Sequence, residues 1–357
     1  MTINTNKIAA IIFCLLFFSG SVNAQSEDEL KYTDAHELML IGQGFDNPQV
    51  DFGRLPVGME FREDLISLGT NSAGLALRFS TNSKTIAVKW TLRHNSIMDH
   101  MAFTGIKGLD MYKLNDKGQW SYIGTARVNG NDTSHFAVVA KNLAGNMDAN
   151  NLEEYIAYLP LYDGLVSLEI GVDKEAVIEV PKKKKLIKNK DVKPIVFYGT
   201  SITQGGCASR PGMAYPAILG RMLNRETINL GFSGNAMLDF SMAKAIAMLD
   251  AESVVVDCLW NCTPQIVTDS AYRFLSHIAK AKPQMKIYML ETLKFAEWKT
   301  VYKQLVKDGY KNIVYVESAD FIGKDGEATV DGCHYTDLGF YRFANALYPY
   351  LKKFKSN

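Results

Sequence analysis

Three features that this sequence lacks limit the classes of protein that it can encode. Its 357 residues carry a formal net charge of only +1, which gives no reason to expect nucleic acid as a partner. Its five cysteines show no C-x-x-C spacing, so a zinc ribbon or a dithiol redox motif is not indicated. Beyond the N-terminus, no stretch approaches the roughly 18 apolar residues of a membrane-spanning helix. With 47% hydrophobic residues, the chain has the composition of a globular protein of two domains.

The one long apolar run lies at the N-terminus. IAAIIFCLLFF follows Lys7, and the small residues after it end at Ala24. This layout predicts a secretory signal peptide over residues 1–24, and the run is short for an alternative membrane anchor. We therefore expect a periplasmic or secreted protein that has no membrane span after cleavage.

Four cysteines remain beyond that segment: Cys207, Cys258, Cys262 and Cys333. An even number in an oxidising compartment permits disulfides, and four cysteines allow three pairings. A bridge between Cys207 and Cys333 would join two of the loops considered below. Free buried thiols are the open alternative.

The pattern along the chain divides it into two regions. Residues 25–182 contain short alternating runs separated by turns, such as LDMYKLNDKGQWSYIGTARV, which predicts a hairpin. This pattern is typical of a β-sandwich of the jelly-roll type. Residues 183–193 then form a lysine-rich segment, which we interpret as a solvated linker, with contact to an anionic polymer as the alternative.

From residue 194 to 357 the hydrophobic period changes. Strand-like runs at 195–199, 253–259, 286–290 and 313–316 alternate with amphipathic helical stretches. Such alternation predicts an α/β fold, a mostly parallel sheet with helices on both faces. Sites in these sheets lie at the carboxyl ends of strands.

A serine stands directly after the first of these strands, in YGTSITQGG. Ser201 becomes a useful nucleophile only if a base accepts its proton and a second group orients that base. The segment TVDGCHYTDLGF supplies both, with Asp331 three residues before His334. At this spacing on a turn, a carboxylate can reach an imidazole. The alternative for Ser201 alone is a helix cap.

Developing negative charge on an acyl oxygen also needs N–H donors. Gly234 in NLGFSGNAML can offer a closely approachable backbone N–H, and Asn261 in VVVDCLWNCTP can offer its side-chain amide. A turn requirement for Gly234 and an Asx turn or helix cap for Asn261 are the structural alternatives.

These four segments, in this order, resemble the blocks of the SGNH (GDSL-like) hydrolase family. The resemblance implies a three-layer α/β sandwich with Ser201, His334 and Asp331 as the catalytic triad. It further implies an oxyanion hole made by the N–H groups of Ser201 and Gly234 and the amide of Asn261. The sequence departs from the family where Thr200 replaces the aspartate of Gly-Asp-Ser.

A second resemblance covers the N-terminal region. GLDMY, residues 108–112, is similar to the GxDLY motif of a β domain that precedes one bacterial SGNH subgroup, and YLPLYDG fits the same domain. We interpret this motif as structural.

Together these features predict a secreted serine esterase that removes short acyl groups, acetyl above all, from oligosaccharides or polysaccharides. Trp260 and Arg210 are the candidate sugar contacts, with a core Trp and a loop-bracing Arg as alternatives. A lipase or thioesterase on the same site, and a glycan-binding protein with a silent hydrolase domain, remain open. No metal or other cofactor is expected.

Overall fold

The computed structural model describes residues 27–128, 130–143, 151–181 and 192–352. The predicted signal peptide, residues 1–24, and residues 183–191 of the predicted linker lie outside these ranges. Within them, no helix has both the length and the apolar character needed to cross a membrane.

The N-terminal region is built from antiparallel strands. In chain order they are β1 Leu30–Asp34, β2 Met39–Ile41, β3 Ala76–Thr81, β4 Ile86–Leu92, β5 Leu109–Leu114, β6 Trp120–Ala126, β7 Ser134–Ala140, β8 Glu153–Tyr158, β9 Leu165–Asp173 and β10 Ile178–Glu179. Two helices, α1 Glu63–Gly69 and α2 Phe103–Ile106, interrupt them.

The strand order is that of a jelly roll. One sheet runs β1-β9-β4-β7, and the other runs β3-β8-β5-β6 with β2 and β10 paired to β3. Strands β5 and β6 form the predicted hairpin. By contrast, β3 and β4 belong to different sheets, as do β8 and β9, so their connections cross from one sheet to the other. This architecture confirms the predicted jelly-roll β-sandwich.

The second region alternates strands and helices. Its elements are β11 Ile195–Gly199, α3 Ser201–Gln204, α4 Tyr215–Leu223, β12 Thr227–Gly231, α5 Phe240–Met248, β13 Ser253–Asp257, α6 Tyr272–Ala281, β14 Lys286–Glu291, α7 Ala296–Lys307, β15 Ile313–Glu317 and α8 Asp337–Lys352. A short helical segment, Pro264–Ile266, and a π-helical turn, Val267–Ala271, lead into α6.

These elements form three layers around a parallel sheet in the order β12-β11-β13-β14-β15. Because successive strand side chains point to opposite faces, Val196 and Tyr198 pack towards α5, α6 and α7. Ile195 and Phe197 pack towards α4 and α8 on the other face. Both faces of β11 are buried, which explains its uninterrupted apolar sequence and confirms the predicted α/β fold.

Apolar residues of the N-terminal region complete both hydrophobic layers. Phe45, Leu55 and Leu65 belong to the cluster on the α5 face. Met101 and Leu161 belong to the cluster on the α4 face. The two regions therefore share packed cores instead of meeting at a polar surface.

A buried arginine spans the same junction. The Arg54 guanidinium donates hydrogen bonds to the carbonyls of Leu68 and Asn71 in its own region and of Asn229 and Gly231 on β12. All four partners are neutral carbonyls, so burial lowers the pKa of Arg54 to about 9. This side chain fixes the carboxyl end of β12 against the jelly roll.

A buried carboxylate makes the second polar link. Asp110, in the GLDMY motif on β5, is fully buried. Its Oδ2 accepts a hydrogen bond from Arg210 Nη1 at 2.5 Å, and its Oδ1 accepts one from the Gly212 N–H at 2.8 Å. Arg210 also hydrogen bonds to Tyr112 and lies over the Tyr122 ring. The motif thus holds the chain that follows Ser201.

We predict that Asp110→Ala lowers the free energy of unfolding by about 3 kcal/mol or more. Removing one partner of a buried ion pair typically costs this much, because the Arg210 guanidinium and the Gly212 N–H would lose the carboxylate that accepts their hydrogen bonds. Asp116→Ala, in the exposed β5–β6 turn, is the matched control and should change stability by less than about 0.5 kcal/mol. Urea unfolding of both variants measures the effect, and similar stabilities would contradict the anchoring role.

Candidate active site

The carboxyl ends of three neighbouring strands meet at one crevice. The sheet order places β12 on one side of β11 and β13 on the other, so the direction in which successive strands are added to the sheet reverses at β11. Such a switch point opens a crevice above the sheet. Ser201 follows β11, Gly234 follows β12 and Asn261 follows β13, while His334 precedes α8.

The turn that carries Ser201 requires a glycine before it. A Cβ on Gly199 would lie 2.0 Å from Thr203 Oγ1, so only glycine lets the chain fold back so closely. The Thr200 hydroxyl accepts a hydrogen bond from the Ile202 N–H, and α3 ends after one turn at Gly205, whose φ is +114°. The serine is therefore held at the tip of β11.

Ser201, His334 and Asp331 form one line of hydrogen-bonding groups. Ser201 Oγ lies 3.0 Å from His334 Nε2, and His334 Nδ1 lies 2.7 Å from Asp331 Oδ2. Asp331 Oδ1 accepts the backbone N–H groups of Cys333 and His334. With Nδ1–H donating to the carboxylate, Nε2 is free to accept the serine proton.

The electrostatics of the carboxylate suit this arrangement. Hydrogen bonds, first of all from the His334 side chain, lower the pKa of Asp331 well below its usual range. Asp331 is therefore ionised wherever the protein is folded at ordinary pH. A fixed negative charge beside Nδ1 stabilises the imidazolium that forms when Nε2 accepts a proton.

The serine and histidine loops are tied together through Ser209. Its N–H and hydroxyl both donate to the carboxylate of Asp337, three residues after His334, at 2.9 and 2.5 Å. Its carbonyl accepts the Thr104 hydroxyl from the jelly-roll region. Three distant segments are thus joined close to the serine–histidine contact.

Gly234 and Asn261 follow β12 and β13, the two strands that flank β11. Gly234 is exposed, has φ of +69° and would meet nothing within 4 Å if it carried a Cβ, so its backbone is approachable. Asn261 ends the turn Leu259–Asn261 after β13, and its Oδ1 accepts the Ala236 N–H at 3.2 Å. This bond uses the amide oxygen and leaves the Nδ2 donors for a ligand oxygen.

The loop between β8 and β9 supports the serine turn from the jelly-roll side. Gln204 Nε2 donates to the Leu161 carbonyl, and Gln204 Oε1 accepts the Ser233 N–H. The buried Tyr162 hydroxyl donates to the Ser201 carbonyl at 3.3 Å. These contacts couple the YLPLYDG loop, the serine turn and the glycine segment.

A cavity of about 310 Å³ lies beside Tyr162. Tyr162 is part of its wall, so the cavity lies one side chain away from Ser201. The wall is mixed in polarity; its other members are Ser67, Leu68, Asn71, His94, Ser96, Ile97 and Met98. This volume is at the lower end for small-molecule sites.

The two candidate sugar contacts have different surroundings. Trp260, beside Asn261, is 36% exposed and can present its ring to the crevice. The Arg210 guanidinium is occupied by Asp110 and Tyr112. The geometry of Arg210 therefore favours the loop-bracing alternative over a sugar contact.

All four described cysteines are free thiols, so the possible Cys207–Cys333 bridge does not form in this structure. Burial raises the pKa of Cys207 to about 11. Its thiol therefore stays protonated at neutral pH and is not a competing nucleophile.

Sequence reasoning missed several groups around the serine. Gln204 lies within the serine segment, and Tyr162 lies in the noted YLPLYDG motif, yet neither had a predicted role. His100 lies on the jelly-roll side, and its ring centroid is 5.3 Å from that of His334. A loop residue from another region carries no periodic signal that would indicate this proximity.

Family models match both regions of the chain. A model of the GxDLY N-terminus of SGNH-hydrolase-type esterases matches residues 30–178, and the GDSL-like lipase/acylhydrolase model matches 192–299 and 294–352. A Bacteroides ovatus protein described as a GDSL-like lipase is 33% identical, with 91% of this chain and 97% of that chain covered and a TM-score of 0.79. None of the curated proteins compared matches the chain.

Two further solved structures share the fold at low identity. The salicylyl-acyltransferase SsfX3 of a tetracycline biosynthetic pathway is 14% identical, with 90% of this chain and 96% of that chain covered and a TM-score of 0.67. A family two carbohydrate esterase from Clostridium thermocellum, solved with cellohexaose, is also 14% identical, with 78% and 92% covered and a TM-score of 0.56.

The fold and its crevice define a protein of the SGNH hydrolase class. More specifically, the chain belongs to the GDSL-like lipase/acylhydrolase family and carries the GxDLY type of N-terminal domain.

We predict that Ser201→Ala lowers ester turnover by at least about 10³-fold, because no hydroxyl remains to attack the acyl carbon. Ser121→Ala, on the exposed side of β6, is the control and should retain full activity. Steady-state kinetics with p-nitrophenyl acetate measures both, and circular dichroism checks the fold. Near-normal rates for Ser201→Ala would remove this serine from the mechanism.

Asn261→Ala should lower turnover by about 10²–10³-fold, the usual effect of losing one oxyanion donor. Asn345→Ala, an exposed asparagine on α8, controls for the loss of an amide. The same assay reports both variants. A loss below about threefold for Asn261→Ala would mean that its amide does not contact the developing charge.

Proposed function

We propose that this chain is a secreted serine esterase that hydrolyses short-chain acyl esters, acetyl esters foremost, on oligosaccharides or polysaccharides. The observation that carries the proposal is the hydrogen-bonded line from Ser201 through His334 to Asp331, with separations of 3.0 and 2.7 Å. Such a line on this family's fold is the apparatus of acyl transfer.

The proposed reaction begins with attack of Ser201 Oγ on the ester carbonyl while His334 Nε2 takes the serine proton. The N–H groups of Ser201 and Gly234 and the Asn261 amide stabilise the oxyanion. His334 then gives the proton to the alcohol oxygen as the ester C–O bond breaks. The alcohol departs, and the acyl group remains on Ser201. A water molecule then attacks the acyl carbon while His334 Nε2 takes its proton. His334 returns that proton to Ser201 Oγ as the acyl–Oγ bond breaks, which releases the carboxylic acid.

One feature supports a carbohydrate as the alcohol, and another supports a short acyl group. Trp260, beside Asn261, is 36% exposed, and aromatic faces pack against the apolar faces of sugars. The adjoining cavity is small and contains Asn71, His94 and two serines in its wall. The wall also contains apolar side chains, but a long acyl chain would lie partly against these polar groups, which is unfavourable. The family two carbohydrate esterase bound to cellohexaose shows the same fold with a glycan ligand.

The proposed location is the periplasm or the exterior, on the strength of the signal-peptide pattern of residues 1–24. Cleavage after Ala24 would leave Gln25 as the first residue. The intact mass of the exported protein reports this directly.

The decisive experiment measures acetate release from acetylated xylan, pectin and mannan, with the Ser201→Ala protein as the blank. We expect release from at least one polymer, and undiminished activity after dialysis against a chelator. Kinetics on p-nitrophenyl acetate and on longer acyl esters should show a kcat/KM that falls with chain length. A preference for long chains would favour a lipase, and glycan binding without any acetate release would favour a silent hydrolase domain.

A further inference from the structure

A second cluster of reactive side chains surrounds the proposed base. His100 lies in the loop after β4, Cys207 in the loop after α3, and His334 before α8. One ligand atom from each lies within 4.8 Å of the other two. The proposed ester reaction uses only His334 of these three and does not explain why His100 and Cys207 lie beside it.

Each histidine has its Nδ1 beside a carboxylate. His100 Nδ1 lies 2.9 Å from Asp99 Oδ1, and His334 Nδ1 lies 2.7 Å from Asp331 Oδ2. Nε2 is therefore the nitrogen that each ring has available to coordinate an ion. Carboxylate–histidine pairs of this kind are the usual outer shell of a metal site, since they orient the ring and raise its basicity.

Cys207 completes the cluster with an unpaired thiol. Its backbone has φ of +72°, in the left-handed region that residues other than glycine rarely adopt. Strained backbone of this kind persists where the surrounding structure holds it, and it concentrates at functional positions. The loop thus holds the Cys207 side chain beside His100 and His334 at a conformational cost.

We propose that His100, Cys207 and His334 form a binding site for Zn²⁺ and that the bound ion switches off the esterase. Two imidazoles and a thiolate are ligands that select Zn²⁺ and related transition ions over Mg²⁺ or Ca²⁺. Tetrahedral zinc, with Zn–S of about 2.3 Å and Zn–N of about 2.0–2.1 Å, needs its ligand atoms about 3.5 Å apart. The ligand atoms lie within 4.8 Å of one another, so binding requires them to come closer, and His100 lies partly exposed on a loop where its side chain can rotate.

The chemistry of inhibition follows from the ligand set. Coordination to His334 Nε2 occupies the lone pair that otherwise accepts the Ser201 proton. The Cys207 thiol releases one proton to solvent as it binds, and no group is oxidised or reduced. Metal binding by these residues does not depend on the proposed function, whereas the inhibition does.

Binding is tested first without turnover. Co²⁺ is added to the full-length Ser201→Ala protein, and a thiolate-to-cobalt charge-transfer band is expected in the near ultraviolet, with loss of the band on addition of Zn²⁺. The band should be absent in Ser201→Ala/Cys207→Ser and weakened in Ser201→Ala/His100→Gln. Ser201→Ala/Cys333→Ser, which removes a neighbouring thiol, should retain it. Absence of the band, or its survival without Cys207, would overturn the site.

Inhibition is tested next on the protein with Ser201 intact. ZnCl₂ should inhibit p-nitrophenyl acetate hydrolysis, EDTA should reverse the effect, and MgCl₂ at equal concentration should not inhibit. His100→Gln and Cys207→Ser should retain basal turnover and require at least about tenfold more Zn²⁺ for half-inhibition, whereas Cys333→Ser should match the parent. Equal inhibition of the parent and both ligand variants would overturn the proposal. Absence of any esterase activity would refute the proposed function and leave the cobalt result standing.

Discussion

The contact between Ser201 Oγ and His334 Nε2 joins two residues 133 positions apart, and the proposed chemistry depends on it. Neither side chain is held by its own element alone. The serine loop is bound to the start of α8 through the hydrogen bonds of Ser209 with Asp337. The Ser201 carbonyl accepts a hydrogen bond from Tyr162 of the jelly roll. A hydroxyl and an imidazole must stay within hydrogen-bond reach for proton transfer, so these flanking bonds position the two groups that we propose react.

The junction between the two regions explains how such positioning is maintained. Arg54 reaches across to two carbonyls of β12, and Asp110 receives donors from the loop that follows the serine. Both side chains are buried, and a buried charge that lost its partners would be strongly unfavourable. Together with the shared apolar layers, they leave the jelly roll little freedom to move relative to the sheet that carries the serine.

Much of the fold was predictable, because it depends on local periodicity. The four predicted runs of the second region correspond to β11, β13, β14 and β15, although β13 ends at Asp257, two residues earlier than expected. The hairpin of β5 and β6 was readable from its turn. The division of β3 and β4 between two sheets was not readable, since a short turn between two strands normally suggests that they pair.

The candidate site, too, was predictable from the sequence only in part. Ser201, Asp331, His334, Gly234 and Asn261 stand in segments whose order suggested them. The structure brings the first three into one line of hydrogen-bonding groups and places the other two after the strands on either side of β11. The engagement of Arg210 by Asp110 could not be foreseen, because their partnership spans 100 residues. Nor could the nearness of His100 to His334, which depends on how a loop of one region folds over the other.

The loop between β8 and β9 has a consequence for how this architecture can diversify. It supplies the Leu161 carbonyl and the Tyr162 hydroxyl that hold the Ser201 turn in place. The α/β region therefore depends on the jelly roll for the contacts that hold the Ser201 turn. A recombination event that exchanged the β half for another ancillary module would discard part of the scaffolding of the active centre, so the two halves are expected to be inherited as one unit.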